Sequence, residues 1–282
     1  MRYGFVTCVR LGRACIEEIL GSGNAIHMMM TLKDDRSRRK SGRIYLDDLA
    51  AEHRIPLHKI DHINDPAAVT ALRDADLDWL FIVGWSQIAN AEVLSSVRRG
   101  VLGMHPTLLP EGRGRASIPW AILKQLDQTG VSLFRLVEGV DTGPVLAQQV
   151  IAIDADETAG RLYSKVISAH LDLLRDIWHG LDDGTVEEIL QDESKATVWP
   201  GRRPEDGEIL PESMSVGDVD RLVRATGKPY PGAFIARPDG SVLRVWSGAP
   251  SFGEPSAVEI QLTDGRYAVH SCELETAREP WA

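Results

Sequence analysis

Two residues have the types and settings for chemistry, His105 and Asp141. His105 follows an apolar run at residues 100–104 and opens the stretch HPTLLPEGRGRAS. Pro106, Pro110, Gly112 and Gly114 mark that stretch as a loop. A histidine there stands at the carboxyl end of a buried strand, where open α/β sheets bind ligands. Imidazole exchanges protons near neutral pH, so it suits general base work. Asp141 lies in EGVDTGP, a second glycine-flanked turn between two strand-like runs. A carboxylate that reaches His105 would fix its tautomer and raise its basicity. An ordinary core histidine and a turn aspartate fit the same spacing. The other seven histidines have no such setting.

The elements that must position this pair alternate in type. Strand-like runs fall at residues 3–9, 25–31, 56–60, 78–83 and 100–104. Helical spacing falls between them, at 13–20, 47–53, 67–73 and 91–98. Alternation of this kind predicts βαβ units, a mostly parallel sheet and helices on both of its faces. A helix at 119–126, strands at 129–136 and 145–153, and a long amphipathic helix at 158–179 complete the first part. Composition shifts after Gly184, and TVWPGRRPEDGEI reads as a linker. Beyond it a short helix at 216–225 precedes β-like runs at 233–237, 242–246, 257–262 and 266–271. These suggest a small β-barrel or open β-roll. The expected division is an α/β domain at 1–184, a linker at 185–207 and a β-rich domain at 208–282.

Charge narrows the partners. The 282 residues carry 31 basic and 41 acidic side chains, a net charge of −10. Gripping a nucleic acid through many phosphates needs a positive surface instead. Residues 33–43 (KDDRSRRKSGR) run against the total, with six basic and two acidic residues. This +4 segment is either a solvated loop or a compact site for a phosphorylated ligand. No stretch has the roughly 18 apolar residues of a membrane span, and the N-terminus lacks a signal-peptide layout. Three cysteines without a CxxC pair suggest a reducing, cytoplasmic setting. No His/Cys/Asp cluster has metal-ligand spacing, so no metal is expected. GSGNAI at 21–26 half matches a dinucleotide fingerprint but follows a helix, where the fingerprint follows a strand.

The run His105-Pro106-Thr107-Leu108-Leu109-Pro110, with Arg113-Gly114 after it, resembles the HPSLLP…RG signature of folate-dependent formyltransferases. Gly139-Val140-Asp141-Thr142-Gly143 is similar to that family's G-[LIV]-D-T-G loop, and the interval from His105 matches. PGRRPEDG at 200–207 resembles the segment before the family's small domain. Arg224-Ala225 and Pro229-Tyr230-Pro231-Gly232-Ala233 resemble its R-A…P-x-P-G-A stretch. The resemblance spans residues 1–234. It implies a Rossmann-like catalytic domain with a small C-terminal β-rich domain. It also implies transfer of a formyl group from N10-formyltetrahydrofolate to an amine. His105 would then take the amine's proton, directly or through water, with Asp141 as partner. The oxyanion that forms needs hydrogen-bond donors, a role the family often gives to an Asn two residues before the histidine. That position is Gly103 here. Loss of such a donor typically costs about 100- to 1,000-fold in rate. Protonated His105 with a water or a backbone N–H could serve instead. Asn90, Thr107 or Ser117 could substitute, or turnover could be slow or absent.

The resemblance places the pterin against Val83, Gly84, Trp85, Ser86, Gln87 and Ile88, and against Leu136, Gly139, Val140 and Asp141. Sugar N-formyltransferases often show a T-x-x-D…K-S-G-x-x-D-L stretch. Thr31, Asp34, Lys40-Ser41-Gly42 and Asp48-Leu49 are similar to it. The expected acceptor is therefore a nucleotide-linked amino sugar, with Lys33, Arg36, Lys40, Arg43, Thr107 and Arg113 as substrate-binding candidates. A diphosphate needs two or three cations. Residues 207–282 hold seven basic and eleven acidic residues, the wrong sign for tRNA. The alternatives are an amino-acid or hydroxy-amine formyltransferase, a methionyl-tRNA formyltransferase, and a folate- or sugar-nucleotide-binding protein with weak turnover. A homodimer contact through β-rich edges is a further expectation.

Overall fold

The computed structural model describes residues 1–35, 43–252 and 258–276. Packing divides the chain into two units. The first holds Met1–Gly114, Thr129–Ile151 and Lys165–Val198, and the second holds Arg115–Gln128, Ala152–Ser164 and Trp199–Ala282. Residues 185–198, read from composition as linker, pack with the first unit.

The first unit is built on a seven-stranded sheet. Its spatial order is Leu57–Ile60, Met28–Leu32, Tyr3–Val6, Trp79–Val83, Gly100–His105, Gln128–Arg135 and Val145–Ala152. The first five strands pair in parallel. Gln128–Arg135 then runs antiparallel to Gly100–His105, setting Phe134 opposite Gly103 and Ser132 opposite His105. Strand order reverses around Tyr3–Val6, so a crevice opens at the carboxyl ends of that strand and of Trp79–Val83.

Alternation along the strands fills both faces. On one, Val6, Leu80, Ile82 and Val101 pack with Ala68, Val69 and Leu72 of the helix Pro66–Asp74. That helix begins with Pro66 in its first turn, where a missing N–H costs nothing. On the other face Phe5 stacks on Phe81 at 5.7 Å, and Phe81 on Trp178 at 5.9 Å. Trp178 comes from the helix Ala159–Asp183. Burying each such ring contributes about 1.5–3 kcal/mol.

The second unit carries an open four-stranded antiparallel sheet. Its order is Ala233–Ala236, Val242–Ser251, Gly265–Glu275 and Glu259–Leu262. The two central strands are longer than their apolar runs, because register irregularities between Val245 and Gly248 let one strand bend and continue. The helix Val216–Thr226 lays Val219, Leu222 and Val223 against Val245, Ile260, Tyr267 and Val269. Ser215 and Asp218 close a capping box at its start.

Cys8 and Cys15 are buried, and Cys272 is exposed on the strand Gly265–Glu275. Among the described residues no helix is long and apolar enough to cross a membrane. None of their His, Cys, Asp and Glu side chains group in threes to hold a metal ion.

Candidate active site

His105 ends the strand Gly100–His105 and is 8% exposed. Its Nε2 lies 2.8 Å from the carbonyl oxygen of Gly112. A carbonyl only accepts, so Nε2 carries a proton and the ring's other nitrogen is the one that can take up a second. That nitrogen, Nδ1, lies 3.7 Å from Oδ2 of Asp141. The distance is beyond a hydrogen bond. Gly112 therefore sets the tautomer, and Asp141 acts on the ring through its charge.

Asp141 is held from three sides. Its backbone sits at φ 54°, a left-handed conformation that Asp tolerates better than most residues. The N–H of Gly114 donates to its Oδ2 at 2.8 Å. The amide of Gln191 donates to the carbonyls of Asp141 (2.8 Å) and Gly143 (2.6 Å). Gln191 is in turn gripped by Arg113, at 3.1 and 2.8 Å. Arg113 also forms a two-pronged pair with Glu193, at 2.9 and 2.6 Å, which raises its affinity for its proton.

A second buried network holds the loop after His105. Ser132 Oγ donates to the Thr107 carbonyl at 2.7 Å and accepts from the Leu109 N–H at 3.0 Å. The Gln148 amide donates to Ser132 Oγ (2.7 Å) and to the Leu109 carbonyl (2.9 Å). Further along, Thr197 accepts from the N–H groups of Gly112 and Arg113. Sequence reading missed Gln191, Ser132, Gln148 and Thr197. Their types are ordinary, and only the folded chain brings them to this loop.

His170 is fully buried and its Nδ1 lies 2.7 Å from the Val166 carbonyl. Burial lowers its pKa to about 4, and a positive His105 pushes it the same way.

The remaining candidates sort by their contacts. A β-carbon at Gly103 would lie 2.7 Å from Leu136 and 3.1 Å from the Phe134 ring. The space for a longer residue there is thus filled. Gly84 stands at φ 64° at the end of its strand, and a β-carbon would meet Val9 at 2.3 Å. Val83 is buried, and Trp85 and Leu136 pack against the same apolar cluster. Gln87 accepts from the Ile63 N–H and donates to the Asp61 carbonyl, so it ties two loops together. Ile88 is 63% exposed, and Val140 also projects into solvent. Gly139 closely contacts Thr142, where a β-carbon would lie 2.2 Å from its hydroxyl. Asn90 is engaged as a helix cap, accepting from the Val93 N–H at 3.1 Å. Ser117 is buried within the second unit. Thr107 is 2% exposed, and its hydroxyl has no partner among the described residues.

In the basic loop, Arg36 and Lys40 lie outside the described residues. Lys33 pairs with Asp61 at 2.5 Å. Arg43 donates to Thr31 and to the Leu32 carbonyl, and its guanidinium lies 5.1 Å from the Tyr45 ring. Arg113, as shown above, is committed to Gln191 and Glu193.

Residues 26–176 match the family model described as formyl transferase. Among solved structures, HypX from Aquifex aeolicus matches 96% of this chain with a TM-score of 0.72 at 17% identity. The chain spans only 44% of HypX. A sugar N-formyltransferase from a Shewanella species matches with a TM-score of 0.71 at 19% identity, covering 90% of this chain and 99% of that one. An N-formyltransferase from Helicobacter canadensis, solved with folinic acid and dTDP-3-aminofucose, gives 0.72 at 16% identity. It covers 96% of this chain and 99% of its own.

Proposed function

The chain belongs to the formyl transferase family, and on that premise we propose that it moves a formyl group from N10-formyltetrahydrofolate to the primary amine of a nucleotide-linked amino sugar. The observation that carries this reading is His105 facing Asp141 across 3.7 Å, at the carboxyl end of a central strand. An attacking amine must shed a proton, and Nδ1 of His105 is the basic nitrogen that can take it. The Asp141 carboxylate stabilises the cation that results. N10-formyltetrahydrofolate supplies the activated formyl group when bound.

The Helicobacter relative, bound to a folate and a nucleotide-linked amino sugar, supports both co-substrates. For the folate, the segment Val83–Ile88 offers a left-handed backbone at Gly84 and an exposed Ile88. A backbone edge beside an apolar side chain suits a flat heteroaromatic ring. The acidic balance of residues 207–282 argues against a tRNA acceptor. A cytoplasmic location and a homodimer contact through the C-terminal sheet edge belong to the same proposal.

One observation favours a second reading, in which the protein binds these ligands with little turnover. Leu136 and Phe134 fill the space that a donor side chain at position 103 would need.

Screening TDP-, UDP- and GDP-linked 3-amino and 4-amino sugars with formyltetrahydrofolate decides between them. Mass spectrometry should show one sugar gaining a formyl group. Folate binding by calorimetry, with no formylated product from any amine, would favour the second reading.

A further inference from the structure

The segment after the strand Trp79–Val83 is held by side chains that the chemistry above does not use. Exposure alternates along it. Gly84, Ser86, Ile88 and Asn90 face solvent, while Trp85, Gln87 and Ala89 are half-buried. A period of two marks extended backbone with one face turned inward. On that inner face Trp85 and Ala89 pack against the apolar cluster that holds Ile63 and Val93. Ile63, at 0% exposure, anchors the loop at residues 61–65 that leads into the helix Pro66–Asp74.

Two side-chain amides join this segment to that loop, one from each side. Gln87 Oε1 accepts from the Ile63 N–H at 2.8 Å, and its Nε2 donates to the Asp61 carbonyl at 3.0 Å. Asn64 answers from the opposite loop. Its Oδ1 accepts from the Asn90 N–H at 3.0 Å, and its Nδ2 donates to the Ile88 carbonyl at 3.0 Å. Backbone N–H groups only donate and carbonyls only accept, so both amide orientations are fixed. Each amide thus stands in for a neighbouring strand, completing one donor and one acceptor of the other loop. The loop at 61–65 is itself braced. Lys33 Nζ meets the Asp61 carboxylate at 2.5 Å. Asp65 Oδ2 accepts from the His62 N–H at 2.9 Å, and the Asn64 N–H donates to His62 Nδ1 at 3.1 Å.

We propose that Gln87 and Asn64 are positioning residues, which hold the outer edge of residues 84–88 in the shape that receives the folate and do not touch the folate themselves. This rests on the folate reading of Val83–Ile88 given above. The family resemblance counts Gln87 among the pterin contacts, yet its amide is committed to backbone groups on the inner face. The face left for a ligand carries Gly84, Ser86 and Ile88. Ordering a loose segment at the moment of binding subtracts from affinity, and an edge fixed beforehand avoids that loss.

Calorimetry of folinic acid on the full chain tests this. Gln87→Met and Asn64→Leu keep the side-chain size and remove both bonds. Each should weaken folinic acid by about tenfold, the loss of two neutral hydrogen bonds. Hydrogen exchange followed by NMR should show the Asn90 N–H, which Gln87 does not touch, exchanging faster in Gln87→Met. Saturating folinic acid should slow it again. Tyr3→Phe, which loses a 2.7 Å bond to Asp182 at the amino end of its strand, should lower the melting temperature and leave folinic acid affinity unchanged. Gln87→Glu keeps the Ile63 bond and loses the Asp61 bond. It should act in the same direction, and it serves if Gln87→Met does not fold. Unchanged affinity in the folded Gln87 and Asn64 variants overturns the proposal. So does weakening by the Gln87 change alone, which would make Gln87 a direct contact. A parent chain that does not bind folinic acid removes the folate reading itself, so the two failures are distinct.

Discussion

The ring of Phe134 flanks Gly103, its cross-strand partner, 3.1 Å from where a β-carbon would sit, and a Leu136 methyl crowds the same spot at 2.7 Å. The sequence comparison suggests Gly103→Asn as a restoring change, one that raises the rate or does nothing. The structure changes that expectation. The new side chain must displace Leu136 or Phe134, and overpacking of this kind costs about 1–3 kcal/mol. Urea melts should show the loss, with no gain in formyl transfer. Combining it with Leu136→Ala should recover part of the overpacking cost relative to the two single changes. A Gly103→Asn variant as stable as the parent would show that the flank yields easily.

His105→Gln should lower formyl transfer by about 100- to 10,000-fold, the usual range for a lost general base. Asp141→Asn should lower it by tenfold or more. Asn is the right probe there, because it keeps the left-handed φ of 54° that Ala would strain. Circular dichroism and melting temperature should stay near those of the parent. Near-normal turnover in both variants would remove the pair from the mechanism.

Gln191→Ala should cost about 1–3 kcal/mol, since it strips the carbonyls of Asp141 and Gly143 of a donor. It should also lower kcat more than it raises KM, because it loosens the residue facing His105 rather than a binding surface. Gln191→Glu should not rescue, because a carboxylate cannot donate to those carbonyls. Rescue by Glu would show that the Arg113 contact alone matters.

His170 gives the fold a predictable acid limb. It titrates at about 4 when folded and near 6.5 when exposed. Between those values the unfolded chain binds the extra proton, so stability is full above pH 6.5 and falls as pH drops. About 2 kcal/mol of this should be gone by pH 5. Urea melts at pH 7 and pH 5 should show a smaller gap in His170→Gln than in the parent. An equal gap would assign the acid limb to other groups.

Much of the α/β unit was legible because its signals are local. The spacing of apolar residues marks each strand and helix, and the glycines and prolines mark the two loops that carry His105 and Asp141. What the sequence could not show is long-range partnership. Lys33 reads as a free cation, yet it meets Asp61, and Arg113 reads as a ligand, yet it meets Gln191 and Glu193. Residues 191–197 read as linker because they are polar and lack period, and they supply bonds that hold the loops carrying His105 and Asp141. The environment of Gly103 was invisible for a similar reason. It depends on an antiparallel neighbour that arrives about thirty residues later, in a register no local pattern encodes.

The placement of the three thiols offers a practical handle. Cys8 and Cys15 are sealed in the first unit, and burial drives the Cys15 thiol far from its reactive form. Cys272 alone meets solvent, on a strand of the second unit. A maleimide dye should therefore attach at one position without mutagenesis, about as far along the chain from His105 as the described residues allow. A fluorophore there would report on the C-terminal sheet while a folate is titrated, leaving His105 unlabelled.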